Sequence, residues 1–158
     1  MNIDESVHVE GDVIFGRNCE IGPNACLIGP LTIGNNTTIY AGAVIGSAPQ
    51  HRSKQKQFGV QIGDGCVIRE FVTIHAGIER ETVVGDFAYL MAGSHVAHDC
   101  LLEENVTLAN SALLAGHCHV MRNANIGLNV SVHQYSVIGS YTMLGMGTVV
   151  HSRSKVEP

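Results

Sequence analysis

Val84-Gly85-Asp86-Phe87-Ala88-Tyr89-Leu90-Met91-Ala92-Gly93-Ser94-His95-Val96-Ala97-His98-Asp99-Cys100-Leu101-Leu102 carries a large apolar residue at every sixth position: Val84, Leu90, Val96 and Leu102. The step continues unbroken through Leu108, Leu114, Val120, Ile126, Val132, Ile138, Leu144 and Val150. Towards the N-terminus it resumes in two further registers. One holds Ile62, Ile68 and Ile74; the other runs Ile3, Val9, Phe15, Ile21, Leu27, Ile33, Ile39 and Ile45. A period of six fits neither the 3.6 of a helix nor the 2 of a plain strand. It fits a short strand plus a turn, with three such units closing a triangular coil of about 18 residues.

Two companion positions share the period. A small or β-branched residue stands two places before the anchor, as at Cys19, Ala25, Thr37, Ala43, Cys66, Ala88, Ser94, Cys100, Ala112, Cys118, Ala124 and Ser136. Gly often follows the anchor, as at Gly16, Gly22, Gly34, Gly63 and Gly85, where it is expected to relax the corner. The pattern predicts an all-β fold, a parallel β-helix of seven to eight coils over residues 1–150, with 151–158 as a short tail. Coils stack at the ~4.8 Å strand spacing, and each buries its anchors only against its neighbours. The two register breaks are loops pushed outward, a long one at about 47–61 and a short one at about 77–81. The long loop gathers His51, Arg52, Lys54 and Lys56 without an acid, which suits a phosphate-binding flap as well as a solvated surface loop.

Composition narrows the function classes. Gly is abundant at 18, Trp is absent and charged residues make up 15%, as expected of a repetitive β structure. A net charge of −5 is the wrong footprint for nucleic acid. The opening Met1-Asn2-Ile3-Asp4-Glu5 has acids where a signal peptide needs bases, and no run approaches the ~18 apolar residues of a membrane span. A cytoplasmic protein with its five cysteines reduced is expected.

Nine histidines are many for 158 residues, and the coil register brings several together. Stacking by 18 puts Asp99 under His117 and Tyr135, aligns His98 with Gly116 and Gln134, and aligns Ala97 with Ala115 and His133. Allowing for the short loop, His75 joins that last column. His75, His98, His117 and His133 thus share one corner in successive coils. Three readings fit: a hydrogen-bonded polar ladder, a metal site built from imidazoles, or a general base oriented by a carboxylate. For a metal, the spacing lacks the two histidines five apart of the β-helical carbonic anhydrases, since His95 and His98 are three apart and His117 and His119 two apart.

Ile68-Arg69-Glu70-Phe71-Val72-Thr73-Ile74-His75, His95-Val96-Ala97-His98-Asp99-Cys100, Leu114-Ala115-Gly116-His117 and Val132-His133-Gln134 together resemble the UDP-N-acetylglucosamine O-acyltransferases of lipid A biosynthesis, from about Val9 to Val150. The resemblance implies a left-handed β-helix and a homotrimer with active sites between subunits. It implies His98 as general base on the sugar 3-hydroxyl, Asp99 as its orienting partner, and the Gly116 N–H as oxyanion donor. His75, His95, His117, His133, Gln134, Gln50 and Lys54 would bind substrate, and Met146 would limit the length of the acyl chain. No metal or diffusible cofactor takes part; acyl carrier protein, through its phosphopantetheine, is the acyl donor. The acceptor implied is UDP-N-acetylglucosamine or a related amino sugar. Two departures stand out. The family's loop carries Gln-Asp where this one reads Gln50-His51, and family members continue into a C-terminal helical domain, whereas this sequence ends at Pro158. A zinc-dependent hydratase and a non-catalytic trimeric binding protein are the alternatives from other classes.

Overall fold

The computed structural model describes residues 1–52 and 54–157. Short strands, two to four residues long, form three parallel eight-stranded sheets, and the chain visits the three faces in strict rotation. The first face begins with Asn2–Ile3 and Glu20–Ile21, the second with His8–Glu10 and Cys26–Ile28, the third with Val13–Phe15 and Leu31–Ile33. Within each face the register steps by the predicted repeat: Leu90 pairs with Leu108, Leu108 with Ile126, Ile126 with Leu144. The loops change the step but not the alignment, so Ile33 pairs with Ile62 and Ile68 with Leu90.

The anchors fill the interior. Leu27, Ile45, Ile68, Ile74, Leu90, Leu102, Leu108, Leu114 and Ile126 are wholly buried. Each contributes on the order of 1.5–3 kcal/mol by leaving water. The small residues two places earlier are buried beside them, Cys66, Cys100, Cys118 and Ala112 included, because the triangular interior has no room for more.

The corners correct one expectation. The left-handed backbone conformation falls mostly three residues before the anchor, and one after it only at Gly46. It is taken by Asn18, Asn24, Asn36, Asn105, Asn123 and Asn129, by Gly42, Gly65, Gly93 and Gly147, and on one corner by Asp99, His117 and Tyr135. Asn, Asp and Gly tolerate this region best. The Gly that follows an anchor is needed for a different reason. A Cβ on Gly16 would lie 2.5 Å from the carbonyl carbon of Gly34 in the next coil. Close stacking of coils, rather than backbone freedom, selects glycine there.

Two boundaries also move. The long loop covers 48–59, because Val44–Ser47 and Val60–Ile62 are strands; the short one covers 76–81, between Thr73–His75 and Thr82–Val84. Residues 151–157 are not a plain tail: Lys155–Val156 pairs with Val137–Ile138 and carries the coil past Val150. Val156 is one further anchor in the same six-residue register. Pro158 lies outside the described residues.

Candidate active site

The corner between the second and third faces follows the strands Thr73–His75, His95–Val96, Leu113–Leu114 and Ser131–Val132. Residues just beyond each strand end fall on this corner, and stacked coils bring them together. The backbone confirms the column: the His117 N–H donates to the His98 carbonyl, and the Tyr135 N–H to that of Gly116.

Asp99 is wholly buried, and its Oδ1 accepts three backbone N–H groups, from Ile78, Glu79 and Arg80, at 3.0, 2.8 and 2.9 Å. Its Oδ2 lies 2.6 Å from Nδ1 of His98 and 3.6 Å from Nε2 of His117. Burial pushes the Asp99 carboxyl up, but the His98 hydrogen bond and the three N–H groups outweigh it and hold the carboxyl below its usual range. An ionised carboxylate accepts, so His98 donates through Nδ1–H and keeps the Nε2 lone pair available. Gly116 lies against that edge of the ring, where a Cβ would come within 2.8 Å of Nε2.

His98 and Gly116 border a cleft of about 490 Å³. His75, His95, His98, Gly116, His133, Gln134 and Gln50 all line it, so most of the residues singled out in the sequence do converge. His117 stands behind His98, stacked on Tyr135 with ring centroids 4.5 Å apart. His75 packs edge-on against His95 at 4.7 Å, and Thr73 Oγ1 meets His95 Nδ1 at 2.7 Å. Burial, with His95 and His98 nearby, brings the His75 imidazole down to about 4, and its Nδ1 is buried without a hydrogen-bond partner. Burial likewise lowers His95 and His117.

Three expected residues stand elsewhere, and His117, expected to bind substrate, is one: it backs His98 and does not line the cleft. Lys54 is not at the cleft: its Nζ pairs with Glu79 at 2.6 Å. Lys56 Nζ is turned onto the carbonyls of Gly29 and Gly46, so two of the loop's cations are already engaged within the chain. Met146 is 76% exposed and follows a strand of the first face, at the opposite edge of the second face from His98. The apolar wall of the cleft comes instead from Leu113 and Val149, stacked outward on the second face in one column with Ser131.

Sequence reasoning put His51 in the basic loop but missed that it lines the cleft, with its ring centroid 6.0 Å from that of His98. Its adjacency to Gln50 was the available signal. It also missed the backbone cradle of Asp99, for which sequence offers no signal beyond the register break itself. Among the described residues one group has the donor set for a metal ion, His98, Asp99 and His117, whose ligating atoms all lie within 4.8 Å of one another.

The repeat family described as bacterial transferase hexapeptide (six repeats) matches residues 12–47. The chain is 38% identical over 148 residues to acyl-(acyl-carrier-protein)–UDP-N-acetylglucosamine O-acyltransferase of Campylobacter concisus, covering 90% of this chain and 56% of that protein. It is 44% identical over 127 residues to the protein of the same name from Halorhodospira halophila, covering 78% of this chain and 49% of that one. The chain thus spans about half the length of the curated relatives it matches. Among solved structures, the UDP-N-acetylglucosamine acyltransferase of Campylobacter jejuni superposes with a TM-score of 0.86 at 32% identity, over 99% of this chain and 67% of that one. The enzyme of Bacteroides fragilis also gives 0.86 at 32% identity, over 99% of this chain and 69% of its own. The β-helix is left-handed, as in these structures and against the usual right-handed crossover. The chain belongs to the hexapeptide-repeat UDP-N-acetylglucosamine O-acyltransferase family.

Proposed function

We propose that this chain transfers a 3-hydroxyacyl group from acyl carrier protein to a hydroxyl of an amino sugar, UDP-N-acetylglucosamine or a close relative. The observation that carries the reading is the His98–Asp99 pair, whose free Nε2 borders the cleft directly beside Gly116. A sugar hydroxyl is a weak nucleophile and needs a base, whereas a thioester is already activated. His98 Nε2 takes the hydroxyl proton as the oxygen attacks the thioester carbonyl. The Gly116 N–H faces the developing oxyanion, and collapse of the adduct expels the phosphopantetheine thiolate, which recovers the proton from His98. Oriented by Asp99, the imidazolium is stabilised while it holds the proton.

The other cleft residues divide by chemistry. His75, His95, His133, Gln134 and Gln50 offer donors and acceptors to the sugar and its phosphates. Leu113 and Val149 offer an apolar path to the acyl tail. A homotrimer suits the exposed apolar row on the second face, and Met146 reaches an acyl chain only from a neighbouring subunit. Acyl carrier protein places the reaction in the cytoplasm. No helix of the described residues is long and apolar enough to cross a membrane.

The test is direct. Purified protein with 3-hydroxyacyl donors of several lengths and UDP-N-acetylglucosamine should form the O-acyl sugar nucleotide. Transfer to a different amino sugar alone would revise the acceptor, and no transfer to any would overturn the reading.

A further inference from the structure

We propose that Arg80 is a positioning residue, and that the short insertion 76–81 serves as a cradle that sets the orientation of Asp99 against His98. The inference rests on the acyltransfer reading above only for its kinetic part. The insertion interrupts an otherwise regular coil between the strands Thr73–His75 and Thr82–Val84. A solvated bulge would spread its N–H groups into water. Here three consecutive ones, of Ile78, Glu79 and Arg80, converge on the single oxygen Oδ1 of Asp99. The turn that aims them is tight: a Cβ on Gly77 would run into the Arg80 carbonyl oxygen.

The backbone of Asp99 is gripped from the same segment. Arg80 Nε donates to the Asp99 carbonyl at 2.8 Å, and the Asp99 N–H donates to Thr82 Oγ1 at 2.9 Å. Asp99 stands in the left-handed region at φ 62°, the corner conformation it shares with His117 and Tyr135 in the next coils. With Oδ1 saturated and both peptide groups held, the carboxylate cannot turn. Only Oδ2 is left for the imidazoles, and the 2.6 Å contact to His98 Nδ1 follows. Arg80 is the one member of this clasp that contributes through a side chain while being exposed overall, so it can be replaced without disturbing the core. The insertion is itself tied to the long loop, since the N–H groups of Gln57 and Phe58 both donate to the Gly77 carbonyl.

The experiment compares wild type, Arg80→Ala and Arg80→Lys by melting, steady-state kinetics and proton NMR of protein labelled with nitrogen-15 in histidine. The short His98–Asp99 hydrogen bond should give a strongly downfield Nδ1 proton in wild type, absent in an Asp99→Asn control. In Arg80→Ala that resonance should shift upfield or broaden away while the melting temperature holds. Its kcat should fall about tenfold, a fraction of the ~10²–10⁴ that a positioned base supplies, with KM changed less than twofold. Arg80→Lys, which keeps a donor, should recover part of both. If Arg80→Ala does not fold, Arg80→Gln takes its place. An unchanged downfield proton overturns the proposal whatever the kinetics show. A rise in KM with kcat intact also overturns it, making Arg80 a substrate contact. If even wild type transfers no acyl group, the functional reading fails, and the resonance still decides the role of Arg80.

Discussion

His98 lies over Gly116 so closely that a Cβ on Gly116 would come within 2.6 Å of its Cε1. The two residues are one coil apart, and the contact exists because the glycine presents bare backbone to the ring. Gly116 has ordinary backbone angles, so Ala fits the chain and conflicts only with the imidazole. Gly116→Ala should therefore leave stability within about 1 kcal/mol and swing His98 off Asp99. We expect kcat to fall at least about 100-fold, of the order of a lost base. Steady-state kinetics beside a melting curve checks both halves, and near wild-type turnover would contradict the placement of the base.

His98→Ala should abolish transfer with the fold intact. The ring borders the cleft rather than the interior, so its loss removes chemistry and little packing. The expected drop in kcat is ~10²–10⁴-fold. A variant that still turns over acyl carrier protein substrates normally would remove His98 from the mechanism.

Leu108→Asp should destroy the fold. Leu108 is wholly buried between Leu90 and Ile126 in the adjacent coils. An unpaired carboxylate there costs several kcal/mol. Circular dichroism during heating tests this, since a soluble variant with an unchanged transition contradicts the register.

Stability should decline on acidification through the histidine corner. The His75 imidazole is held near 4 in the folded protein against an ordinary value of 6.5. The unfolded chain therefore binds a proton that the folded one refuses. Stability from this group is complete above about pH 6.5 and is lost as pH falls towards 4, by up to about 3 kcal/mol. His95 and His117, lowered by the same burial, act in the same direction. His75→Asn should flatten the dependence of denaturation midpoint on pH across that window without erasing it. A wild-type midpoint constant from pH 7 to 4 would contradict the burial of His75.

Acyl-chain selectivity should respond to two positions differently. Val149 borders the cleft within one chain, so Val149→Trp should disfavour long donors outright. Met146 is exposed at the far edge of the face, so Met146→Gly should widen selectivity only where subunits associate. A donor-length panel, run alongside the oligomeric state by light scattering, separates the two.

The coil and its contents were legible because a six-residue period is a local property. Burying Leu90, Leu108 and Ile126 in one column needs only that the spacing repeat, and the backbone hydrogen bonds of parallel stacking then follow. That regularity was enough to place His98 over Gly116 and Asp99 under His117 across residues far apart in the chain. The sequence by itself thus determined which residues share the corner. The insertions carry no period, so what they touch had to come from three dimensions. Only the tertiary structure showed that 76–81 folds back to saturate Asp99 Oδ1, that Lys54 and Lys56 are spent within the chain, and that His51 enters the cleft. These contacts are made by backbone N–H groups and long flexible side chains, whose partners depend on the path of a loop through space. The corner glycines make the same point from the opposite side: their spacing was visible in the sequence, but the carbonyl that forbids a Cβ belongs to the neighbouring coil.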